Sequence, residues 1–324
     1  MNGSWRSRSR VTRRRPPRHL LAAAAALALA HSTAGAAEFT LAGNESVIGS
    51  TQTYVTKSQD TLLDVQRVYD VGYAELVAAN QTVDPWLPGA GTRVVIPTRF
   101  ILPPAPRIGI VINLGERRLY YFHPDRKTVE TFPIGVAVDG AHTPAGLTSI
   151  VAKEKNPAWY PPPSIRAEEP ELPAVVPPGP DNPLGDYALR LGWANFLIHG
   201  TNKPDGVGRN VSHGCIRLYP EDIERLFAEV PVGTPVRVLD QSLLTAWSEG
   251  QLFVALHPSK SQTDEIDNGK RMTIATSLTL TMAVANAAGE RRGFVRWDLV
   301  ARIGREASGI PVAVTIADKL AGAP

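Results

Sequence analysis

The sequence predicts a mainly β protein, α+β overall, in which a β-sandwich over residues 105–240 follows a small βααβ module over residues 50–98. Three observations predict it. Short runs rich in β-branched and aromatic residues recur between turn signals from Ile108 to Leu239, the pattern of a sandwich or barrel. Within that stretch only Pro220 to Val230 (PEDIERLFAEV) has a clear helical pattern. Before it, Tyr54 to Pro97 reads as strand, helix, helix, strand.

The N-terminus reads as a cleaved export signal over residues 1–36. Seven arginines from Arg6 to Arg18 precede the eleven-residue apolar run Leu20 to Ala30, and Ala34-Gly35-Ala36 offers an A-x-A cleavage site near Ala36. Eleven apolar residues are too few for a bilayer, which needs about twenty. The arginine pair before Pro16-Pro17 lacks the apolar residues of a twin-arginine signal, so the export route stays open. Without the arginine-rich segment the net charge of +3 turns mildly negative. A nucleic-acid partner then loses its electrostatic footprint. The expected location is the periplasm.

Residues 37–49 read as a short polar leader. Tyr54-Val55 opens the module as a strand, and Asp60-Thr61 caps a helix through Leu62, Leu63, Val65 and Val68. A second helix, Tyr73 to Ala79, closes at Asn80, and Pro88-Gly89-Ala90-Gly91 turns into the strand Arg93 to Pro97. Pro103-Pro104-Ala105-Pro106 is a stiff linker. Strand-like runs follow at Ile108–Leu114, Arg118–Phe122, Thr128–Ile134, Thr148–Ala152, Phe196–His199 and Pro235–Leu239.

Asn156 to Gly185 holds ten of the chain's 28 prolines, so it cannot be a central strand. Its apolar anchors, Trp159, Tyr160, Ile165, Leu172, Val175 and Val176, favour an ordered flap over the active site. Residues 241–324 form a C-terminal extension. It adds a strand pair over Ser242 to Pro258, one strand of it in Leu252–Pro258, and the sequence assigns the tail from Thr263 onward no chemistry.

The chemistry concentrates between His199 and Arg217. The chain's only cysteine, Cys215, lies in Ser212-His213-Gly214-Cys215-Ile216-Arg217, downstream of His199-Gly200-Thr201-Asn202. An exported protein with a single thiol forms no internal disulfide. A nucleophilic thiol needs a base or a positive field nearby, and histidine is the natural base. Glycine beside a nucleophile admits a substrate carbonyl and frees N–H groups for an oxyanion. Spacing leaves the base open. His213 shares a face with Cys215 if the segment is extended, and His199 ends a separate strand. Zinc is the rival chemistry, but no fourth ligand or usual spacing accompanies these residues. No cofactor or metal is expected.

His199-Gly200 followed by Ser212-His213-Gly214-Cys215-Ile216-Arg217 resembles the signature of the L,D-transpeptidase (YkuD) family. The likeness extends to Asn156-Pro157-x-Trp159, Leu172 to Pro177, and Gly179 to Gly185. Tyr54, Asp60-Thr61-Leu62, Ala79-Asn80, Pro88-Gly89 and Val94-x-Ile96-Pro97 are similar to a LysM glycan-binding domain, with Gln59 where that family has glycine. Together the layout resembles the ErfK/YbiS group, which attaches an outer-membrane (Braun-type) lipoprotein to peptidoglycan.

The resemblance implies a mostly β catalytic sandwich and a two-step acyl transfer. Cys215 attacks the third-residue carbonyl of a peptidoglycan tetrapeptide stem, D-alanine leaves, and an amine resolves the thioester. It carries the base role to His199, oriented by the Gly200 carbonyl. Oxyanion support falls to His213, Gly214 and Cys215, and substrate contacts to Arg217, Ser212, Asn202 and Trp159. Arg217 either fixes the loop or meets a substrate carboxylate, and Ser212 is expected to be a loop hydrogen-bonder. Three acceptors are implied: a lipoprotein lysine, a second stem in a 3–3 cross-link, or water in a hydrolase. Glycan strands are the expected partner of the LysM-like module. A non-catalytic wall-binding protein is the reading from another class.

Overall fold

The computed structural model describes residues 1–2, 37–43, 45–274 and 278–316. The apolar run and the Ala34-Gly35-Ala36 motif lie outside the described residues.

The βααβ module forms for local reasons. Thr61 caps the helix Leu62–Val68: its hydroxyl accepts from the Asp64 N–H at 3.2 Å, while the Asp64 carboxylate accepts from the Thr61 N–H at 2.9 Å. The helix Tyr73–Ala79 ends at Asn80, whose amide donates to the Leu76 and Val95 carbonyls at 2.9 and 2.8 Å. That one side chain seals a helix end and ties it to the strand Arg93–Ile96, which pairs antiparallel with Gln52–Val55. Leu62, Val65, Val71, Leu76, Val94 and Ile96 form the module's core.

The region after the module is mostly β, as the sequence predicts. Its frame is one nine-stranded sheet. In spatial order the strands are Ala37–Thr40, Thr128–Pro133, Arg118–Phe122, Gly109–Asn113, Pro235–Leu239, Gly146–Lys155, Tyr187–Leu191, Leu197–His199 and Ile216–Arg217. The sheet curls far enough that its last strand returns to the chain leaving Pro133. Gly135 and Arg217 exchange backbone hydrogen bonds of 2.8 and 3.0 Å. Ile110, Ile112, Phe132, Leu189, Ile198, Ile216 and Val236 fill the inside of the curl, closed by Ile223 and Leu226 of the helix Pro220–Glu229. The outer face of the central strands is also buried, because Val111, Tyr120, Phe122 and Val129 pack under Leu41, Ile48, Phe100 and Leu102. This explains why Gly109–Asn113 and Arg118–Phe122 are buried at every position.

One expectation is corrected here. The polar leader at 37–49 is an edge strand: Ala37–Thr40 pairs with Thr128–Thr131, and Val47–Gly49 pairs with Arg99–Ile101. Four residues are too few for period-2 alternation to stand out in sequence. The proline-rich segment holds no strand of the nine-stranded sheet. It contains the helix Pro163–Glu168, begun by a proline at a position whose N–H needs no intrahelical partner.

The C-terminal extension is knitted to both parts. Leu243–Ser248 and Gln251–Leu256 form a hairpin whose loop, Glu249-Gly250, takes positive φ at both positions. Val312–Ala313 adds a third strand, and the helices Leu278–Ala288 and Trp297–Glu306 pack against the hairpin. Ile266, at the end of the helix Lys260–Asp267, packs with Met272 on Tyr73, Ala74 and Ala78 of the module.

Candidate active site

The strands Leu197–His199 and Ile216–Arg217 run parallel, with Ile198 opposite Ile216 and His199 opposite Arg217. Both isoleucines point into the core. Side chains alternate along a strand, so His199 and Arg217 project together on the opposite face, and Cys215, two residues before Arg217, joins them. The strand pairing thus gathers residues separated by sixteen positions.

Cys215 is partly accessible, and its thiol faces the Asn195 carbonyl at 3.6 Å. Burial pushes the thiol up from its ordinary value, opposed by the Leu197 N–H and the Arg217 charge. His199 is buried, 4% exposed, with Nδ1 at 2.6 Å from the Gly200 carbonyl. A carbonyl can only accept, so Nδ1 carries the hydrogen and Nε2 is left as the free base. Burial pushes this imidazole down to about 4, Arg217 adds in the same direction, and the Gly200 and Leu184 carbonyls oppose them. At neutral pH the site therefore holds a neutral imidazole and a thiol rather than an ion pair.

Arg217 is the unusual member. Its guanidinium makes a single long contact, 3.5 Å to the Val211 carbonyl, and its Nε has no partner among the described residues. Burial pulls it down from the ordinary arginine value, and the thiol is the one acidic group that opposes this. A buried cation without an anion is costly unless an anion arrives.

The loop before Cys215 turns on Gly214, whose φ of +126° suits glycine. A Cβ there would stand 2.9 Å from the Phe196 ring and 3.0 Å from the His142 carbonyl. Ser212 bridges the turn: its hydroxyl donates to the Cys215 carbonyl at 2.6 Å and accepts from the Gly214 N–H at 3.2 Å. Thr143 donates to the Gly214 carbonyl at 2.8 Å.

The bend at Gly214 also breaks the alternation that would put His213 beside Cys215. His213 turns outward instead, its Nε2 3.0 Å from the Glu168 carboxylate on the helix of the proline-rich segment. That segment therefore touches the loop that carries Cys215. Buried Asn182 organises it, donating to the Pro157 carbonyl at 2.8 Å and accepting from the Leu184 N–H at 2.9 Å. Trp159 lies within it, its backbone paired with Val176. Asn202 is exposed on the bend after Thr201 and makes no side-chain hydrogen bond among the described residues.

Sequence reasoning missed Thr143, Asn182 and Asn195. Asn182-Pro183 is a turn signal that could have marked the first-named role of an asparagine bonding its own backbone two residues on. Thr143 and Asn195 carry no such signal, because they matter only through where the fold brings them.

The sequence profile of the YkuD family, the L,D-transpeptidase catalytic domain, matches residues 107–238. The probable L,D-transpeptidase ErfK/SrfK of Escherichia coli K12 is 40% identical over 240 residues, 69% of this chain and 77% of that protein. The probable L,D-transpeptidase YcfS of the same strain is 38% identical over 252 residues, 75% of this chain and 78% of that protein. A third from that strain, YbiS, is 40% identical over 281 residues, 84% of this chain and 90% of that protein.

Proposed function

Because the chain belongs to the L,D-transpeptidase family of acyltransferases, we propose that Cys215 attacks the third-residue carbonyl of a peptidoglycan tetrapeptide stem, with His199 as its base. The observation that carries this is the 2.6 Å contact of His199 Nδ1 with the Gly200 carbonyl, which leaves Nε2 unprotonated on the face shared with the thiol. Nε2 takes the thiol proton as sulfur bonds to the carbonyl carbon. The oxyanion is met first by the Cys215 N–H, since the Gly214 N–H is turned to Ser212 in the resting loop. Collapse breaks the bond to D-alanine, whose nitrogen takes the proton from His199, and a thioester remains. An acceptor amine then attacks the thioester, His199 removes its proton, and the thiol is restored.

Arg217 supplies the positive group for a carboxylate of the stem, because among the described residues nothing acidic faces it but the thiol. His213, Asn202 and Trp159 line the approach from the proline-rich flap. The acceptor is a lysine amine of an outer-membrane lipoprotein, the LysM-like module at residues 50–98 holds glycan strands, and the enzyme works in the periplasm after its signal is removed near Ala36.

Intact-mass analysis after incubation with purified tetrapeptide-stem muropeptides tests this, with and without a lysine-bearing lipoprotein peptide. A thioester on Cys215, D-alanine release and a peptide-to-stem product are expected. Stem-to-stem product would move the acceptor to a second stem, and free tripeptide to water. No adduct from a folded protein would overturn the thiol mechanism.

A further inference from the structure

Behind the edge strand Ala37–Thr40 sit two carboxyl groups with no visible reason to be buried. Asp70, in the turn between the module's helices, is 5% exposed, and Asp222, in the first turn of the helix Pro220–Glu229, is 1% exposed. Their four oxygens find no donor in another side chain among the described residues, and the two carboxyl groups face each other within reach of a shared proton. The nearest cation, Arg118, is committed to Glu75 at 2.7 Å. Glu75, Glu221 and Tyr219 also face the pair, and none of them brings a positive charge. Two carboxylates side by side away from water cannot both ionise, and burial with mutual repulsion pushes Asp222 far above the carboxylate range. Besides Asp222, the backbone N–H of Ala37 faces Asp70, close to it without completing a standard hydrogen bond.

Ala37 is also the residue that follows Ala34-Gly35-Ala36. We infer that Asp70 and Asp222 form the seat of the α-ammonium group created when the export signal is cut between Ala36 and Ala37. The inference rests on the export-signal reading and is independent of the transfer chemistry. In the cut, water adds across the peptide bond: Ala36 leaves as a carboxylate, and the Ala37 nitrogen takes the proton and becomes an ammonium. A single neutral donor is thereby replaced by three donors and a positive charge, at the place where two buried acids lack a cation.

The seat joins three parts of the molecule. The edge strand is held through its first residue, the module through Asp70, and the helix following the nucleophile strand through Asp222. That helix begins at Pro220, immediately after Leu218, whose N–H is bonded to the His199 carbonyl at 2.9 Å, and Tyr219. Processing thus completes the packing of the strand pair that carries Cys215 and His199, and the unprocessed chain lacks that closure.

The test compares the chain beginning at Ala37 with one carrying a single extra glycine before it. An amine-acylating reagent at pH 7, read by peptide mass spectrometry, is expected to modify the Ala37 amine at least ten times more slowly in the folded than in the unfolded protein. The glycine-extended amine should react freely. The extension should lower Tm by about 4 °C or more, and that loss should vanish in Asp70→Asn, or in Asp222→Asn if the first fails to fold. Equal labelling rates, or a loss that persists in the asparagine variants, would overturn the seat while leaving the export reading intact. An exported protein whose mass places its first residue elsewhere, or that is not cut, would overturn both.

Discussion

Two arginines on neighbouring parts of this molecule, Arg118 fully buried and Arg217 half-buried, show how one residue type serves opposite ends. Arg118 is fully buried and paired with a carboxylate: Glu75 at 2.7 Å, the Thr131 hydroxyl at 3.2 Å, and the Phe100 ring 4.2 Å beneath its guanidinium, while its Nε, like that of Arg217, has no hydrogen-bond partner among the described residues. The carboxylates around it hold it charged despite burial. Arg217 has one 3.5 Å contact to a carbonyl and is pulled down by burial instead. The first is a bolt between the sheet and the βααβ module. The second is held ready at the strand pair that carries the thiol. A carboxylate partner beside the first and none beside the second, among the described residues, is what separates them.

The largest expected effect would break this comparison most directly. Arg118→Met should cost about 3–5 kcal/mol, because Glu75 is left as an uncompensated buried charge. Arg217→Met should leave thermal stability unchanged or raised, while kcat/KM for tetrapeptide stems falls about tenfold to a hundredfold, the worth of a charge-assisted hydrogen bond. Arg217→Lys should recover only part of it, since a point charge does not replace a fork. Denaturation and steady-state kinetics on the three variants decide the matter, and equal destabilisation by both Met changes would erase the distinction.

A second expectation sharpens it through pH. With burial raising the thiol and lowering His199 to about 4, Cys215 should alkylate slowly with iodoacetamide at pH 6 and faster as pH rises past the ordinary thiol range near 8.5. Fast alkylation at pH 6 would reveal a preformed thiolate–imidazolium pair. Stability follows the same group. Burial holds His199 down to about 4 and His257 down to about 3, whereas the unfolded chain protonates both near 6.5. The unfolded state then binds more protons below that value. Stability from these two groups is full above about pH 6.5 and falls as pH drops towards 4, a trend that Tm measured across that range would show.

The smallest effect concerns the flap. His213 and Glu168 are both substantially exposed, so Glu168→Gln should change stability by less than about 0.5 kcal/mol and kcat/KM by no more than about twofold. A large loss would mean that this contact holds the flap in its working position.

Much of this was legible beforehand, and the reason is local. The capping residues Thr61 and Asn80, the helix Pro220–Glu229 and the strand runs depend on neighbours within a few positions. The Ser212–Arg217 motif is likewise contiguous, and Ser212 does bridge its own loop as expected. His213 was not legible, because its direction depends on the positive φ at Gly214 and on Glu168, 45 residues away. Nor was the role of residues 37–40. A four-residue strand has too little periodicity to announce itself, and its partner lies some ninety residues on.

By itself, then, the sequence determined the elements, the thiol and its candidate bases, since those are matters of composition, spacing and local hydrogen bonding. Only the tertiary structure decided which histidine shares a face with the thiol, which arginine lacks a carboxylate partner among the described residues, and which buried acids lack a cation. Those properties are set by pairing register and burial, which arise when distant segments exclude water from one another.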